Sequence, residues 1–158
     1  MFGLFKIKKQ ILVSPADGDI VDLTKVPDEV FSEKMAGDGI AIIPRSNTFV
    51  APVAGTITKI FSTNHAFSIK TKSGLEVLVH IGLDTVALNG EGFKRLAKEG
   101  DTVSVGKAII SADLEFILSK GKKIITPIVV NHEKELVIKS DKVRTIREGE
   151  NLIEVSFK

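Results

Sequence analysis

The sequence predicts an all-β domain, an antiparallel β-sandwich of the barrel-sandwich kind with only two short helical segments. Three observations lead there. Apolar runs are short and rich in Val, Ile, Thr and Phe. Gly, Pro, Asp, Asn or Ser separates one run from the next. Apolar residues at helical spacing occur in two brief stretches alone. β-branched and aromatic side chains suit a pleated, half-buried surface, and the separating residues supply the backbone angles that reverse a chain.

In chain order, Ile11–Val13 runs up to Ser14-Pro15, and Gly18–Asp22 follows a Pro-Ala-Asp turn. Gly39–Pro44 carries Ile40 and Ile42, Gly55–Phe61 carries Ile57, and Ala66–Thr71 and Leu75–Ile81 flank Lys72-Ser73-Gly74. Thr102–Val105 lies between Gly100 and Gly106, Ala108–Ala112 stops at Asp113, and Ile124–Val130, Leu136–Lys139 and Asn151–Ser156 complete the strands. Of the helical stretches, Glu91–Lys98 sets Phe93 near Leu96 and Ala97 and meets a stop at Gly100, whereas Asp113–Leu118 opens on a capping Asp and ends near Gly121.

Ser14-Pro15-Ala16-Asp17-Gly18-Asp19-Ile20 reads much like Ala51-Pro52-Val53-Ala54-Gly55-Thr56-Ile57. Two copies are too few for a solenoid or propeller, so the echo marks pseudo-symmetric halves of one sandwich or barrel. At 158 residues the chain is expected to form a single domain over 1–158 with no linker. Residues 1–10 read as a frayed, partly apolar N-terminus, because lysines interrupt Met1-Phe2-Gly3-Leu4-Phe5-Lys6-Ile7-Lys8-Lys9 before the about 7–15 apolar residues of a signal core. No stable membrane insertion is expected.

Cysteine is absent, which excludes disulfides, a thiolate nucleophile and cysteine-ligated zinc, and a reducing cytoplasm is the simplest home. With 22 basic and 20 acidic residues interspersed, the net charge of +2 builds no field to gather nucleic acid. No metal and no cofactor is expected, and a monomer is the simplest state.

The informative stretch is Thr63 to Gly82, two strand-like runs around a turn. A loop centred on Lys72-Ser73 sets position 65 opposite 80, 67 opposite 78 and 69 opposite 76, and cross-strand Cβ atoms then lie about 4.5–5.5 Å apart. His65 and His80 become neighbours. A Ser73-Gly74 loop would instead slip the register by two residues. Alternation sends Leu75, Val77, Val79 and Ile81 to the core and turns His80, Leu78, His65, Phe67 and Ile69 outward. An imidazole with an ordinary pKa near 6.5 is mostly neutral at cytoplasmic pH, so its free nitrogen can attack phosphorus. Phosphoryl transfer asks for positioning and for donors to the equatorial oxygens, which His65 and Thr63 would supply. The third histidine, His132, lies in a charged turn and reads as an exposed loop residue, and Lys94, Arg95 and Lys98 read as a solvated helix face.

Val79-His80-Ile81-Gly82-Leu83-Asp84-Thr85-Val86-Ala87-Leu88 resembles the active-site signature of the glucose-family enzyme IIA of the bacterial sugar phosphotransferase system. Asp38–Ile42, Val50–Ile57, Thr63–Ala66 and Gly90–Arg95 resemble the same family, in the same order, so the likeness runs from about Ser14 to the C-terminal strand. The resemblance implies a phosphocarrier: His80 phosphorylated, His65 supporting the phosphate, Thr63 hydrogen-bonding nearby. It implies HPr as donor and a cysteine of the enzyme IIB domain of a sugar permease as acceptor. Asp28 and Asp84 correspond to acidic residues beside the site, and Val30, Phe31, Phe61 and Leu78 to an apolar rim. Ala36 and Leu78 stand where relatives tend to carry larger Val and Phe, which trims that rim. Dephosphorylated relatives in some bacteria also inhibit permeases and glycerol kinase, so regulatory protein targets belong to the same expectation.

Two rival classes are weaker. A zinc hydrolase could use His65, His80 and a carboxylate, but the His-x-His and His-x3-Asp pattern of zinc peptidases with similar architecture does not occur. A biotinyl or lipoyl carrier would need its modified lysine at a hairpin tip, and Lys72 has the wrong neighbours in Thr71 and Ser73.

Overall fold

The two Pro-containing echoes lie side by side and bond each other reciprocally. The Val13 amide donates to the Pro52 carbonyl at 2.9 Å, and the Val50 amide to the Pro15 carbonyl at 2.9 Å. Each copy also exchanges a matching pair with a distant turn, Ser14 with Gly149 and Glu150, Ala51 with Gly106 and Lys107. The repeat in the sequence is therefore an approximate two-fold relation between halves. Proline has no N–H to give, so its carbonyl becomes the natural acceptor at both crossings.

A computed structural model describes residues 7–158. The frayed N-terminal reading falls on residues 1–6 outside the described residues and is corrected at its end, because β1 (Lys8–Val13) is already a paired strand. There follow β2 (Gly18–Val21), α1 (Glu29–Ser32), β3 (Asp38–Pro44), β4 (Thr48–Val50), β5 (Gly55–Ile60), β6 (Ala66–Lys70) and β7 (Glu76–His80). Then come β8 (Phe93–Arg95), β9 (Thr102–Val103), β10 (Ala108–Ala112), α2 (Leu114–Ser119), β11 (Thr126–Asn131), β12 (Val137–Ser140), β13 (Thr145–Ile146) and β14 (Asn151–Phe157). Short 3-10 turns cover Leu23–Lys25 and Thr85–Leu88.

These strands make an eight-stranded sheet, β13-β2-β3-β11-β7-β6-β5-β9, and two three-stranded sheets, β1-β14-β12 and β4-β10-β8. The ladders of the main sheet run antiparallel throughout, as do those of the smaller ones. The predicted antiparallel sandwich is the observed fold. One core joins all three sheets, with Leu12, Phe49, Ile57, Phe67, Ile69, Val77, Val79, Ile110, Ile128 and Val155 fully enclosed. A smaller cluster covers part of the main sheet's outer face: Leu23, Val26, Phe31, Ala41, Leu83, Ile125 and Val129, with Val21, Ala36 and Leu78 against it. Strand β11 is consequently buried on both faces, and alternate residues of β7 serve the core and the outer cluster.

Several elements depart from the sequence expectation. The stretch Glu91–Lys98 is not a helix, because Gly90 (φ +89°) and Gly92 (φ +85°) both take left-handed backbone. A Cβ on Gly92 would also lie 2.6 Å from the Phe116 ring. Phe93–Arg95 is instead an edge strand paired with β10, and Phe93 and Ala97 reach the core from non-helical backbone. The second helix is α1, one turn that Asp28 caps by accepting the Val30 amide at 2.9 Å. Its four residues are too few for a periodic signal, as are the two or three of β4, β8 and β13. His132 is half-buried rather than free: one ring nitrogen reaches the Ser73 carbonyl at 2.9 Å, the other accepts the Lys134 amide at 2.9 Å, and the ring packs on Phe157.

The two echoed glycines open β2 and β5 against a neighbour's backbone. A Cβ would stand 2.4 Å from the Ile43 carbonyl oxygen at Gly18 and 2.4 Å from that of Lys70 at Gly55. Ladder carbonyls cannot swing aside, so Gly18→Ala and Gly55→Ala should each cost about 1–3 kcal/mol. The check is urea unfolding, with a lower midpoint at an unchanged slope.

Candidate functional site

The β6–β7 hairpin builds the site. Its loop is Lys72-Ser73-Gly74, with the Gly74 amide donating to the Thr71 carbonyl at 3.0 Å and Gly74 at φ +87°. A three-residue loop with a left-handed glycine sets an odd count between the strands. The register therefore pairs Ala66 with His80, Phe67 with Val79 and Ile69 with Val77. Both loops anticipated from sequence are replaced by one lying between them. Phe67 and Ile69 are accordingly turned into the core and fully buried rather than placed beside His80, since a one-residue slip reverses the face of every side chain on one strand.

The two imidazoles meet all the same. His65 precedes β6, where the ladder does not govern its direction, and Asn64 at φ +60° bends the chain just before it. Its carbonyl accepts the Ile81 amide at 2.7 Å, and its ring turns to the outer face. The His65 and His80 rings stand 4.9 Å apart between centroids, nearly perpendicular at 79°. Phe31 packs on His80 at 5.0 Å and Phe61 edges onto His65 at 5.4 Å. The Lys59 ammonium in turn lies 4.4 Å over Phe61. His65 is only 3% exposed, while His80 is half-buried.

Hydrogen bonds set the chemistry of each ring. His80 Nδ1 lies 2.7 Å from the Gly82 carbonyl oxygen. A carbonyl can only accept, so neutral His80 carries its proton on Nδ1 and leaves Nε2 with a free lone pair. Gly82 holds that carbonyl at φ +77°, where a Cβ would come within 2.6 Å of the Lys123 carbonyl oxygen. The buried Thr85 hydroxyl fastens the turn by donating to the Ile81 carbonyl at 2.7 Å. Across the recess the Thr63 hydroxyl and His65 Nδ1 are 2.6 Å apart. When the hydroxyl donates there, His65 keeps its proton on Nε2.

Both rings are held neutral. Burial first, and the neighbouring His80 second, push His65 down to about 4. Burial also lowers His80, offset in part by its bond to the Gly82 carbonyl and by the Asp28 carboxylate. An unprotonated ring with one committed and one free nitrogen is a nucleophile, and hydroxyl and imidazole donors beside it can receive an oxyanion.

The other residues singled out from sequence fall around this recess to different extents. Asp28 lies within electrostatic reach of His80 while capping α1. Val30 is 46% exposed beside the buried Phe31, and Leu78 and Phe61 are half-buried. Asp84, with left-handed backbone, turns its carboxylate to Lys122 at 2.6 Å, so this part of the acidic rim is already paired. Sequence reasoning did not single out the Gly82 carbonyl. A glycine two residues beyond a histidine at a strand end is the signal that could have found it. Among the described residues, no group of three His, Cys, Asp or Glu side chains gathers as a metal site would require. No helix among them is long and apolar enough to cross a membrane.

A sandwich that opens a recess of two facing imidazoles on the outer side of its main sheet has a close structural counterpart. The glucose permease IIA from Mycoplasma capricolum matches with a TM-score of 0.88 and 40% identity, over 93% of this chain and 96% of that one. Residues 10–136 match the family described as phosphoenolpyruvate-dependent sugar phosphotransferase system, EIIA 1. The glucose-specific EIIA component of Buchnera aphidicola is 47% identical over 149 residues, 94% of this chain and 92% of that protein. The N-acetylglucosamine-specific EIICBA component of Klebsiella pneumoniae is 51% identical over 124 residues, which make up 78% of this chain but only 19% of that longer protein. The chain belongs to the EIIA 1 family of the phosphoenolpyruvate-dependent sugar phosphotransferase system.

The depressed histidines give stability a defined pH dependence. A histidine whose folded pKa lies below its unfolded value of about 6.5 binds fewer protons when folded, so stability is full above that value and falls as pH drops toward 4. For the buried His65 the loss should approach roughly 3 kcal/mol by pH 4. Denaturant midpoints between these limits should decline in the native chain and decline distinctly less in His65→Ala.

Proposed function

We propose that the chain relays a phosphoryl group from phosphorylated HPr to a cysteine of the enzyme IIB domain of a glucose-type sugar permease, with Nε2 of His80 as the carrying atom. The single observation behind this is the 2.7 Å bond that commits Nδ1 of His80 to the Gly82 carbonyl and leaves Nε2 free. In the first step the Nε2 lone pair attacks phosphorus as the bond to the donor breaks. In the second, a thiolate of the acceptor attacks in line and His80 leaves as a neutral ring. The Nδ1 proton stays on the ring, bonded to the carbonyl, throughout.

His65 and Thr63 act on the cargo rather than on the nucleophile. With the Thr63 hydroxyl donating to Nδ1, the proton on Nε2 of His65 is available to a phosphoryl oxygen. A neutral donor suits a relay, because a cluster of cations would hold the group too firmly for onward transfer. Val30, Phe31, Phe61 and Leu78 form a shallow apolar rim that both partners can dry on docking, and Asp28 meets their basic side chains, joined by Asp84 when it exchanges Lys122 for a partner cation. A partnership with an enzyme IIB domain is supported by relatives in which the matching segment belongs to one chain with the EIIC and EIIB parts, as their EIICBA names state. The reading requires no resident cofactor or metal and sets the reaction in the cytoplasm.

Phosphorylated HPr should label the chain once, at an acid-labile and base-stable group, and His80→Ala should abolish labelling. His65→Ala should accept phosphate within a few fold of the native rate yet pass it on about a hundredfold more slowly, since only the exit geometry loses its support. Equal loss in the two half-reactions, each timed separately by quench-flow, would contradict this division of labour.

A further inference from the structure

Arg95 closes β8, in the three-stranded sheet β4-β10-β8, yet its guanidinium serves a turn of the main sheet. Its Nε donates to Asn64 Oδ1 at 2.6 Å, and one terminal nitrogen lies 3.3 Å from the Ile60 carbonyl oxygen and 3.4 Å from that of Phe61. These three acceptors are uncharged oxygens. They span the link from the end of β5 to Asn64, the residue between Thr63 and His65. A second group from the same loop region assists, because Glu99 accepts the Ile60 amide at 2.9 Å.

That turn needs holding. Asn64 takes left-handed backbone at φ +60°, which asparagine adopts more readily than most non-glycine residues, and its side-chain oxygen is then held by the Arg95 guanidinium. His65 follows immediately and is not yet in the β6 ladder, so its ring direction depends on the turn. A guanidinium is well suited to hold it, because its planar fork of donors can reach several oxygens at once, which a lysine ammonium on a flexible stem cannot reproduce.

We propose that Arg95 is a positioning residue for phosphoryl transfer, locking the Thr63-Asn64-His65 turn from a second sheet and so fixing the His65 ring against His80. The proposal rests on the reading of His80 as the phosphoryl carrier. Acting only through His65, Arg95 should matter to onward transfer more than to acceptance.

Four variants test it: Arg95→Lys, Arg95→Ala, His65→Ala and the His65→Ala/Arg95→Ala pair, in both half-reactions. Arg95→Ala and Arg95→Lys should each slow onward transfer about tenfold with acceptance nearly unchanged. In the His65→Ala background, Arg95→Ala should slow transfer no further. Full activity in Arg95→Lys would overturn the proposal, since positive charge alone would then suffice, as in docking to a partner. An added loss in the His65→Ala background, or equal loss in both steps, would overturn it too. A partner-free readout separates this failure from failure of the relay itself. Nitrogen NMR of the His65 ring, which faces Thr63, His80 and Phe61, should show its pKa rising from about 4 toward the ordinary value in both Arg95 variants. An unmoved His65 pKa sinks the positioning role even if HPr never labels the chain. Should Arg95→Ala fold poorly, Arg95→Lys carries both measurements.

Discussion

Because a carbonyl oxygen can accept a hydrogen bond and never donate one, the bond between the Gly82 carbonyl and His80 Nδ1 selects one tautomer of the ring. Much of the surrounding chain serves that bond. Gly82 must adopt left-handed backbone to aim the carbonyl back at its own histidine, and the close Lys123 carbonyl leaves no room for a side chain there. The Leu83 amide donates to the Lys123 carbonyl at 3.0 Å, and Thr85 fastens the turn from inside. The sequence from His80 to Thr85 is thus a device for holding one nitrogen protonated and its partner bare.

A second constraint sets the depth of the recess. Burial keeps both rings neutral, as a nucleophile and a neutral donor require, but complete burial would hide His80 from any partner. The protein resolves this by placing the pair on the outer face of the main sheet, under one turn of helix rather than inside the core. Phe31 reaches across from α1 to cover one ring, Phe61 covers the other, and His80 stays half-exposed between them. Asp28 belongs to the same compromise, capping α1 while its charge opposes the desolvation of His80.

Legibility in the sequence followed the physics of each element. Most strands long enough to alternate were readable within a residue or two, as Ala108–Ala112 shows without error and Gly55–Ile60 with one residue over, whereas β1 begins three residues before the expected Ile11. The Pro and Gly echo announced two related halves, and the reciprocal Val13–Pro52 and Val50–Pro15 bonds show that the copies also join each other. Glu91–Lys98 misled because Phe93, Leu96 and Ala97 sit at helical spacing, although Gly90 and Gly92 forbid a helix start. Local apolar spacing is blind to the left-handed angles that both glycines take and to Phe116 packing beside Gly92.

The sequence by itself determined the β-sandwich class, the hairpin that sets the run from Ala66 beside the strand ending at His80, and the chemistry that two imidazoles and a hydroxyl make available. Those depend on local spacing and on side-chain type, which are properties of the chain alone. Tertiary structure decided the register, because the loop adopts three residues rather than two and a single-residue difference reverses a face. It also decided which nitrogen is free, how far both pKa values fall, and that Arg95 reaches a turn of another sheet. Each of these depends on atoms distant in sequence arriving within hydrogen-bond range, and no local pattern encodes that distance.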